Sequence, residues 1–427
     1  MIYEEAINYI ESRAIFGSRP GFQRIEALLE ALDHPEKNMK YVHVAGTNGK
    51  GSVCTATANI LTAAGYKTGL FTSPFVSDFR ERIQLDGNFI EKDTLARITE
   101  RVKAVVDELD KGDNSPTEFE IITAIAFLYY KEENCDLVVL EVGLGGLLDS
   151  TNVIDTPLVS AIVSLSFDHM GVLGNSIEEI AAQKAGIIKE NGVTVSAPQR
   201  SKEALKVLEN TAKEKNNEFI LADPSVITKI SEDIFGNKIS YQGNVMTLPL
   251  LGPHQIDNLS VTLSIIESLK NQGYIINNEA IVSGVEMTKV PARVEVLSVS
   301  PLIILDGGHN EDGAYALRRT LESYVSDKKK TLVIGVMEDK EVEKVLGHLC
   351  SLANRVVTTT PTNPRAMSAE TLAEKARAFC ADVRAENDPC KAFDLARSLT
   401  APSEALIVCG SLYLAGDVRL HMIETIS

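Results

Sequence analysis

Seven consecutive residues, Gly46-Thr47-Asn48-Gly49-Lys50-Gly51-Ser52, have the composition of a phosphate cradle. Glycines let backbone N–H groups crowd around phosphate oxygens, and a helix opening at the same place adds partial positive charge. Lys50 would reach the β and γ oxygens as a point charge, and Ser52 or Thr47 would offer a hydroxyl to Mg2+. The strict spacing GxxxxGK[ST] is broken, because Gly51 stands between Lys50 and Ser52. A glycine-rich turn carrying a solvated lysine has the same letters. The surroundings favour phosphate: the apolar run Tyr41–Ala45 precedes the loop, and a helical stretch from Ser52 to Ala64 follows it. By itself the loop says nucleotide and no more. A guanine-reading NKxD is missing, since Asn237-Lys238 runs on into Ile239-Ser240.

Further residues have chemistry to offer. Glu141 closes the apolar run Leu137–Val142, just before Gly143. An acid leaving a buried strand is costly unless paired or metal-bound, and strand ends are where α/β sheets place ligands. A solvated carboxylate at the sheet rim is the plainer alternative. Asp168-His169 follows the apolar VSAIVSLSF, where His169 reads either as a satisfied structural histidine or as a metal ligand. Lys184 lies in the otherwise apolar stretch Ala181–Ile188, where a lysine ordinarily snorkels to water. Ser73, before Pro74, has the look of a turn hydroxyl. Unaided, Asn258 reads as a helix N-cap, Arg293 as half of a surface ion pair and Asp306 as a turn acid.

The elements that would position these groups alternate along the chain. Strands are expected at Tyr41–Ala45, Lys67–Thr72, Leu137–Val142 and Val159–Ser164, with helices at Ser52–Ala64, Glu118–Lys131 and Ile177–Ile188. Such βαβ alternation argues for a parallel sheet covered on both faces. The weaker pattern of Phe219–Leu250 suggests an antiparallel patch at the edge of the first domain. A second series follows Pro291, with strands at Leu302–Asp306, Thr331–Val336, Arg355–Thr360 and Ala405–Cys409. The fold class is therefore α/β. Residues 1–290 form an N-terminal P-loop ATPase domain with a mainly parallel sheet, and 291–427 a smaller Rossmann-like α/β domain.

Bulk composition sets outer bounds. A chain of 427 residues is too long for one ordinary core, in keeping with two domains. A net charge of −17 argues against nucleic acid as a partner, though local basic groups can still hold an anionic substrate. The six cysteines include no CxxC pair, which fits reduced thiols rather than a disulfide framework or zinc site. The N-terminal MIYEEAINYIESR has no apolar core for a signal peptide, and no run approaches the ~18 apolar residues of a membrane span. A cytoplasmic monomer is expected.

Taken in order, the motifs resemble the Mur ligase superfamily, and within it folylpolyglutamate synthase/dihydrofolate synthase. They are HVAGTNGKGS, Thr72-Ser73-Pro74, Glu81-Arg82-Ile83, Glu141–Gly146, Asp149–Asn152, Asp168-His169, Ala181–Lys189, Gly252–Asn258, Pro291–Glu295, Asp306–Asn310, Pro364-Arg365-Ala366 and Gly410–Tyr413. The resemblance implies an ATP-dependent ligase that phosphorylates a carboxylate and couples the acyl phosphate to an amine. The acceptor would be dihydropteroate or folate, and the amine glutamate. It implies Mg2+ at two sites held by Ser73, Glu141, His169 and a carbamylated Lys184. Lys50, Glu141, His169 and Lys184 would be catalytic. The loop residues Gly46–Ser52 would hold ATP together with Asn258, Arg293, Asp306 and His309. Phe75, Arg82 and Asp149 would meet the acceptor. The family's usual GGRxDATN is broken at Leu147, which cannot hold an anion as arginine does. A cell-wall Mur ligase would carry a long nucleotide-sugar domain before the loop, where only 45 residues stand here. A non-catalytic nucleotide-binding paralogue would have no use for two metal sites.

Overall fold

The computed structural model describes every residue except Ser18, Asp113, His169, Asp339, Lys340 and Ser427, and the side chain of Ile426. Its contacts divide the chain into two units. One comprises Met1–Phe75, Phe79–Val226 and Asp257–Thr288; the other comprises Val76–Asp78, Ile227–Ile256 and Lys289–Ser427.

The first unit is built on eight strands: β1 (Tyr41–Ala45), β2 (Thr68–Phe71), β3 (Ile83–Leu85), β4 (Asn88–Phe89), β5 (Leu137–Glu141), β6 (Val159–Ile162), β7 (Val193–Ser196) and β8 (Glu218–Leu221). Their order is β4-β3-β2-β5-β1-β6-β7-β8. β2 to β8 through β1 are parallel, and the β3–β4 hairpin closes one edge antiparallel. The central strands are buried end to end, which is why they read as unbroken apolar runs. Strand order reverses at β1, and such a switch point is where open α/β sheets take ligands. The helix Glu118–Glu132 is buried from Glu120 to Tyr130 and starts at a capping box, in which Thr117 accepts from the Glu120 N–H. It anchors a core with Phe71, Ile83, Ile98 and Val138.

The second unit holds two sheets. β9 (Ile227–Asp233), β10 (Gly236–Tyr241) and β11 (Asn244–Leu248) form an antiparallel meander. β12 (Glu295–Val299), β13 (Leu302–Leu305), β14 (Lys330–Ile334), β15 (Arg355–Thr358), β16 (Val383–Ala385) and β17 (Ala405–Cys409) run in the order β12-β13-β17-β14-β15-β16. All are parallel except β12.

The expected antiparallel patch at Phe219–Leu250 needs correcting. Its first strand, β8, joins the large sheet in parallel. The remaining strands belong to the second unit. Ile234 and Leu251 pack on the core of Leu302, Ile304, Leu332 and Ile407. The Tyr324 hydroxyl donates to Glu232 Oε2 at 2.7 Å and lies 3.3 Å from Asn237 Oδ1. The contact boundary near the expected 290/291 falls between Thr288 and Lys289, with residues 227–256 added to the second unit.

Candidate active site

The phosphate loop sits between β1 and the helix Lys50–Ala63. Gly49, the N-cap, has φ +95°, and Gly46 has φ +145°. Neither position has room for a side chain: a Cβ at Gly46 would overlap Val163, and one at Gly49 would overlap the Asn258 carboxamide. Asn258 therefore lies against the loop rather than out in solvent. The loop is tied to the segment after β6. Thr47 N–H donates to Ser164 O at 2.8 Å, and Ser166 N–H donates to Thr47 Oγ1 at 3.1 Å. Asn48 Nδ2 reaches Ser166 Oγ at 3.5 Å, and Ser164 Oγ donates to Asn48 O at 3.0 Å. Ser52 is buried in the first turn of the helix. Ser164 and Ser166 escaped the sequence reading, because loop serines carry no pattern.

Two further side chains, Lys184 and Glu141, converge on this loop and its own Lys50. Lys184 is buried, and its Nζ donates to Gly46 O at 2.9 Å. Burial, with the nearby Lys50 charge adding to it, lowers its pKa to about 7, opposed by Asp168 and Asp149. The expected snorkelling does not occur. Lys50 Nζ donates to Gly46 O at 3.3 Å and Thr47 O at 3.4 Å, and lies 3.9 Å from Glu141 Oε1. Glu141, at the end of β5, is only 5% exposed and accepts from the Ser73 N–H at 3.2 Å. The rim carboxylate of the plainer alternative is thus buried and paired. Among the described residues no three His, Cys, Asp or Glu side chains gather as a metal cluster. Mg2+ needs fewer, since it keeps waters and takes one or two carboxylates plus phosphate oxygens. Glu141 and the Ser73 hydroxyl are hard oxygen donors of that kind. His169 lies outside the described residues.

The expected acceptor residues separate into two groups. Arg82 is buried, with its guanidinium 5.2 Å from the Phe75 ring centre and 5.3 Å from that of Phe79. Its Nη2 is 3.6 Å from Glu118 Oε1. Burial raises the Glu118 carboxyl, and Arg82 opposes the rise. Glu118 is a charged member of this cluster that the sequence reading left inside an apolar helix. Asp149 is also buried, and organises the turn after β5. Its Oδ2 accepts from Leu144 N–H at 2.8 Å; its Oδ1 accepts from Thr151 N–H at 3.0 Å and Thr151 Oγ1 at 2.6 Å. Burial raises its pKa against these bonds. Leu147, in the same turn, is 42% exposed.

In the second unit, Arg293 is half-buried between two non-glycine residues of left-handed backbone, Ala292 (φ +54°) and Val294 (φ +48°). A β-branched residue there is strained. Two carboxylates hold it. Glu295 Oε2 accepts from Ala292 N–H at 3.0 Å, and Asp306 Oδ2 accepts from Val294 N–H at 3.0 Å. Asp306 Oδ1 also accepts from Gly308 N–H at 2.8 Å, and burial raises its pKa against the Arg293 charge. His309 Nδ1 donates to Gly307 O at 3.1 Å. Asp306 is thus more than a turn acid: it fixes the backbone that presents Arg293.

Comparison with known proteins adds the following. Residues 44–266 match the Mur ligase middle domain, and residues 292–412 match the Mur ligase glutamate ligase domain. The chain is 35% identical to a Bacillus subtilis dihydrofolate synthase/folylpolyglutamate synthase, over 98% of this chain and 99% of that protein. It resembles the crystal structure of a Thermotoga maritima folylpolyglutamate synthase with a TM-score of 0.86 and 37% identity, covering 99% and 97% of the two chains. It resembles a Mycobacterium tuberculosis folylpolyglutamate synthase complexed with ADP with a TM-score of 0.89 and 30% identity, over 98% of each.

Proposed function

This chain belongs to the Mur ligase family, in its folylpolyglutamate synthase/dihydrofolate synthase branch, and from that premise we propose how its own residues divide the work. It is an ATP-dependent ligase that adds glutamate to folate-type acceptors. We read the reaction as transfer of the γ-phosphoryl of ATP to the acceptor carboxylate. The glutamate amine then attacks the acyl phosphate carbon, and phosphate leaves with the C–O bond electrons.

The observation that carries the assignment of roles is the convergence on the loop Gly46–Ser52 and its Lys50 of Lys184 and of Glu141, which also accepts from the Ser73 N–H. In the proposal, the backbone N–H groups of the loop and helix cradle the β and γ phosphates; that the Mycobacterium tuberculosis relative is complexed with ADP supports nucleotide binding. Lys50 gives up its carbonyl contacts to follow the transferring phosphoryl, which supplies charge where charge moves. Asn258, packed on Gly49, fixes the loop and faces the nucleotide. Arg293, Asp306 and His309 are proposed nucleotide contacts. Glu141 and Ser73 would hold Mg2+, with His169 and a carbamylated Lys184 serving a second ion; bound there, Mg2+ neutralises phosphate charge. Carbamylation requires a neutral amine, and a pKa near 7 supplies one: Nζ forms a bond to the carbon of CO2 and releases a proton. Phe75, Arg82 and Asp149 meet the acceptor. No helix among the described residues is long and apolar enough to cross a membrane. We infer a cytoplasmic monomer.

Supplying ATP, Mg2+ and glutamate with dihydropteroate in one tube and tetrahydrofolate in another tests this. The expected product is one glutamyl residue heavier by mass spectrometry, with one ADP released per bond. Bound ATP and no product in either tube would overturn it.

A further inference from the structure

A chain of buried polar groups links the centre of the large sheet to Asp149. His43 lies in the middle of β1 and is fully buried. Its Nε2 is 2.8 Å from Thr151 Oγ1. That hydroxyl donates to Asp149 Oδ1 at 2.6 Å. A hydroxyl has one proton, and here the carboxylate receives it, so Oγ1 meets His43 as an acceptor and the ring carries its proton on Nε2. His43 Nδ1 is buried without a hydrogen-bond partner among the described residues. That suits a bare lone pair far better than an N–H. Burial, with Lys189 adding to it, lowers the imidazole pKa to about 3, so the ring is neutral.

An apolar side chain would fill this strand position at lower cost. The imidazole gives up its water in exchange for one hydrogen bond, and leaves its other nitrogen unpaired. What the ring supplies that an apolar residue cannot is a donor, and a donor there fixes the direction of the Thr151 proton. With His43 donating into its oxygen, the Thr151 hydroxyl points at Asp149, which in turn holds Leu144 N–H and the turn between them.

We propose that His43 is a positioning residue for the acceptor: acting through Thr151, it holds Asp149 and the turn it organises in the geometry the acceptor meets. This rests on the reading that Asp149 contacts the acceptor. His43 stands three residues before Gly46 on the strand that delivers the phosphate loop, so the proposal makes a selective demand. Losing the donor must harm acceptor use while sparing ATP.

Steady-state kinetics of the full chain test it, with acceptor and ATP varied separately. Asp149→Asn comes first, and should raise the acceptor KM roughly tenfold with the ATP KM unchanged. His43→Phe keeps a ring of similar size without the donor, and should raise the acceptor KM about five- to tenfold. His43→Gln, whose amide N–H can replace the donor, should recover most of the loss. The double variant His43→Phe/Thr151→Val should be no worse than Thr151→Val alone, as groups in series require. The proposal fails if Asp149→Asn is impaired while His43→Phe keeps the native acceptor KM. It fails too if the loss falls equally on ATP and acceptor along with a lower Tm, or if His43→Gln is no better than His43→Phe. An unchanged acceptor KM in Asp149→Asn would instead sink the reading of Asp149, and the proposal with it. Should His43→Phe not fold, His43→Leu against His43→Gln makes the same comparison.

Discussion

Lys184 shows what a single side chain contributes when burial denies it water. Its amine sits under the phosphate loop with one carbonyl partner and a pKa near 7. The unfolded chain keeps the ordinary lysine value near 10.5. Between those two values the unfolded state binds more protons, so stability rises with pH across that window; below about 7 the burial penalty is present in full. In CO2-depleted buffer, the native protein should gain on the order of 2 kcal/mol over Lys184→Met between pH 7 and pH 9. Denaturant unfolding at the two pH values measures it, and parallel behaviour of the two proteins would show that the amine is not held as described. Turnover of Lys184→Met should fall at least a hundredfold. Much at this scale was legible in advance. Glu141, Lys184 and Asn258, each singled out in the sequence, lie against the loop and its Lys50, and Ser73 is bonded to Glu141. His43, Thr151 and Ser166 were not legible. Each matters through a hydrogen bond to a residue more than a hundred positions away, His43 with Thr151 and Ser166 with Thr47, and no spacing in the sequence encodes that.

At the scale of elements, the junction of β1 with the helix Lys50–Ala63 bears the tightest constraint. Gly49 combines a left-handed backbone with direct contact to Asn258, so two separate requirements exclude a Cβ. Gly49→Ala should cost about 1–3 kcal/mol and weaken nucleotide binding at least tenfold. Gly51 makes the control. A Cβ there meets only Glu141 Oε2, at an ordinary 3.7 Å, within a helix that favours alanine. Thermal unfolding of both variants checks the contrast in stability, with nucleotide titration of Gly49→Ala alone; equal losses of stability would mean that glycine content matters rather than the Gly49 geometry. β1, β2, β5 and β6 were readable because parallel strands covered on both faces are apolar throughout, whereas β7, also buried, alternates Val with Thr194 and Ser196 and was not read. β12 and β16 were missed for the converse reason. They are short edge strands with half-exposed or exposed residues, and their composition does not stand out from a loop.

For the molecule as a whole, two α/β series were legible from alternation, but the way the chain is shared between the units was not. A hydrophobic pattern says that a segment must bury one face; it does not say against what. Residues 227–256 find their partners in β13, β14 and β17, all later in the chain. A fragment of residues 1–290 should therefore expose the apolar side chains of Ile234 and Leu251, bind a hydrophobic dye and aggregate. The same fragment with a Gly/Ser linker in place of residues 227–256 should stay dispersed. Light scattering with dye fluorescence compares the two, and identical behaviour would contradict the assignment of that meander. The position of β17 also bears on synthesis. It is the last strand of this sheet to leave the ribosome, yet it lies between β13 and β14, so the second sheet cannot close until residues 405–409 have been made. At ordinary elongation rates, roughly 10–30 s separate the emergence of the meander from that of the strand that lets its core form. During that interval nascent polypeptides on neighbouring ribosomes carry the same uncovered surface, which makes the meander the natural client segment for a co-translational chaperone.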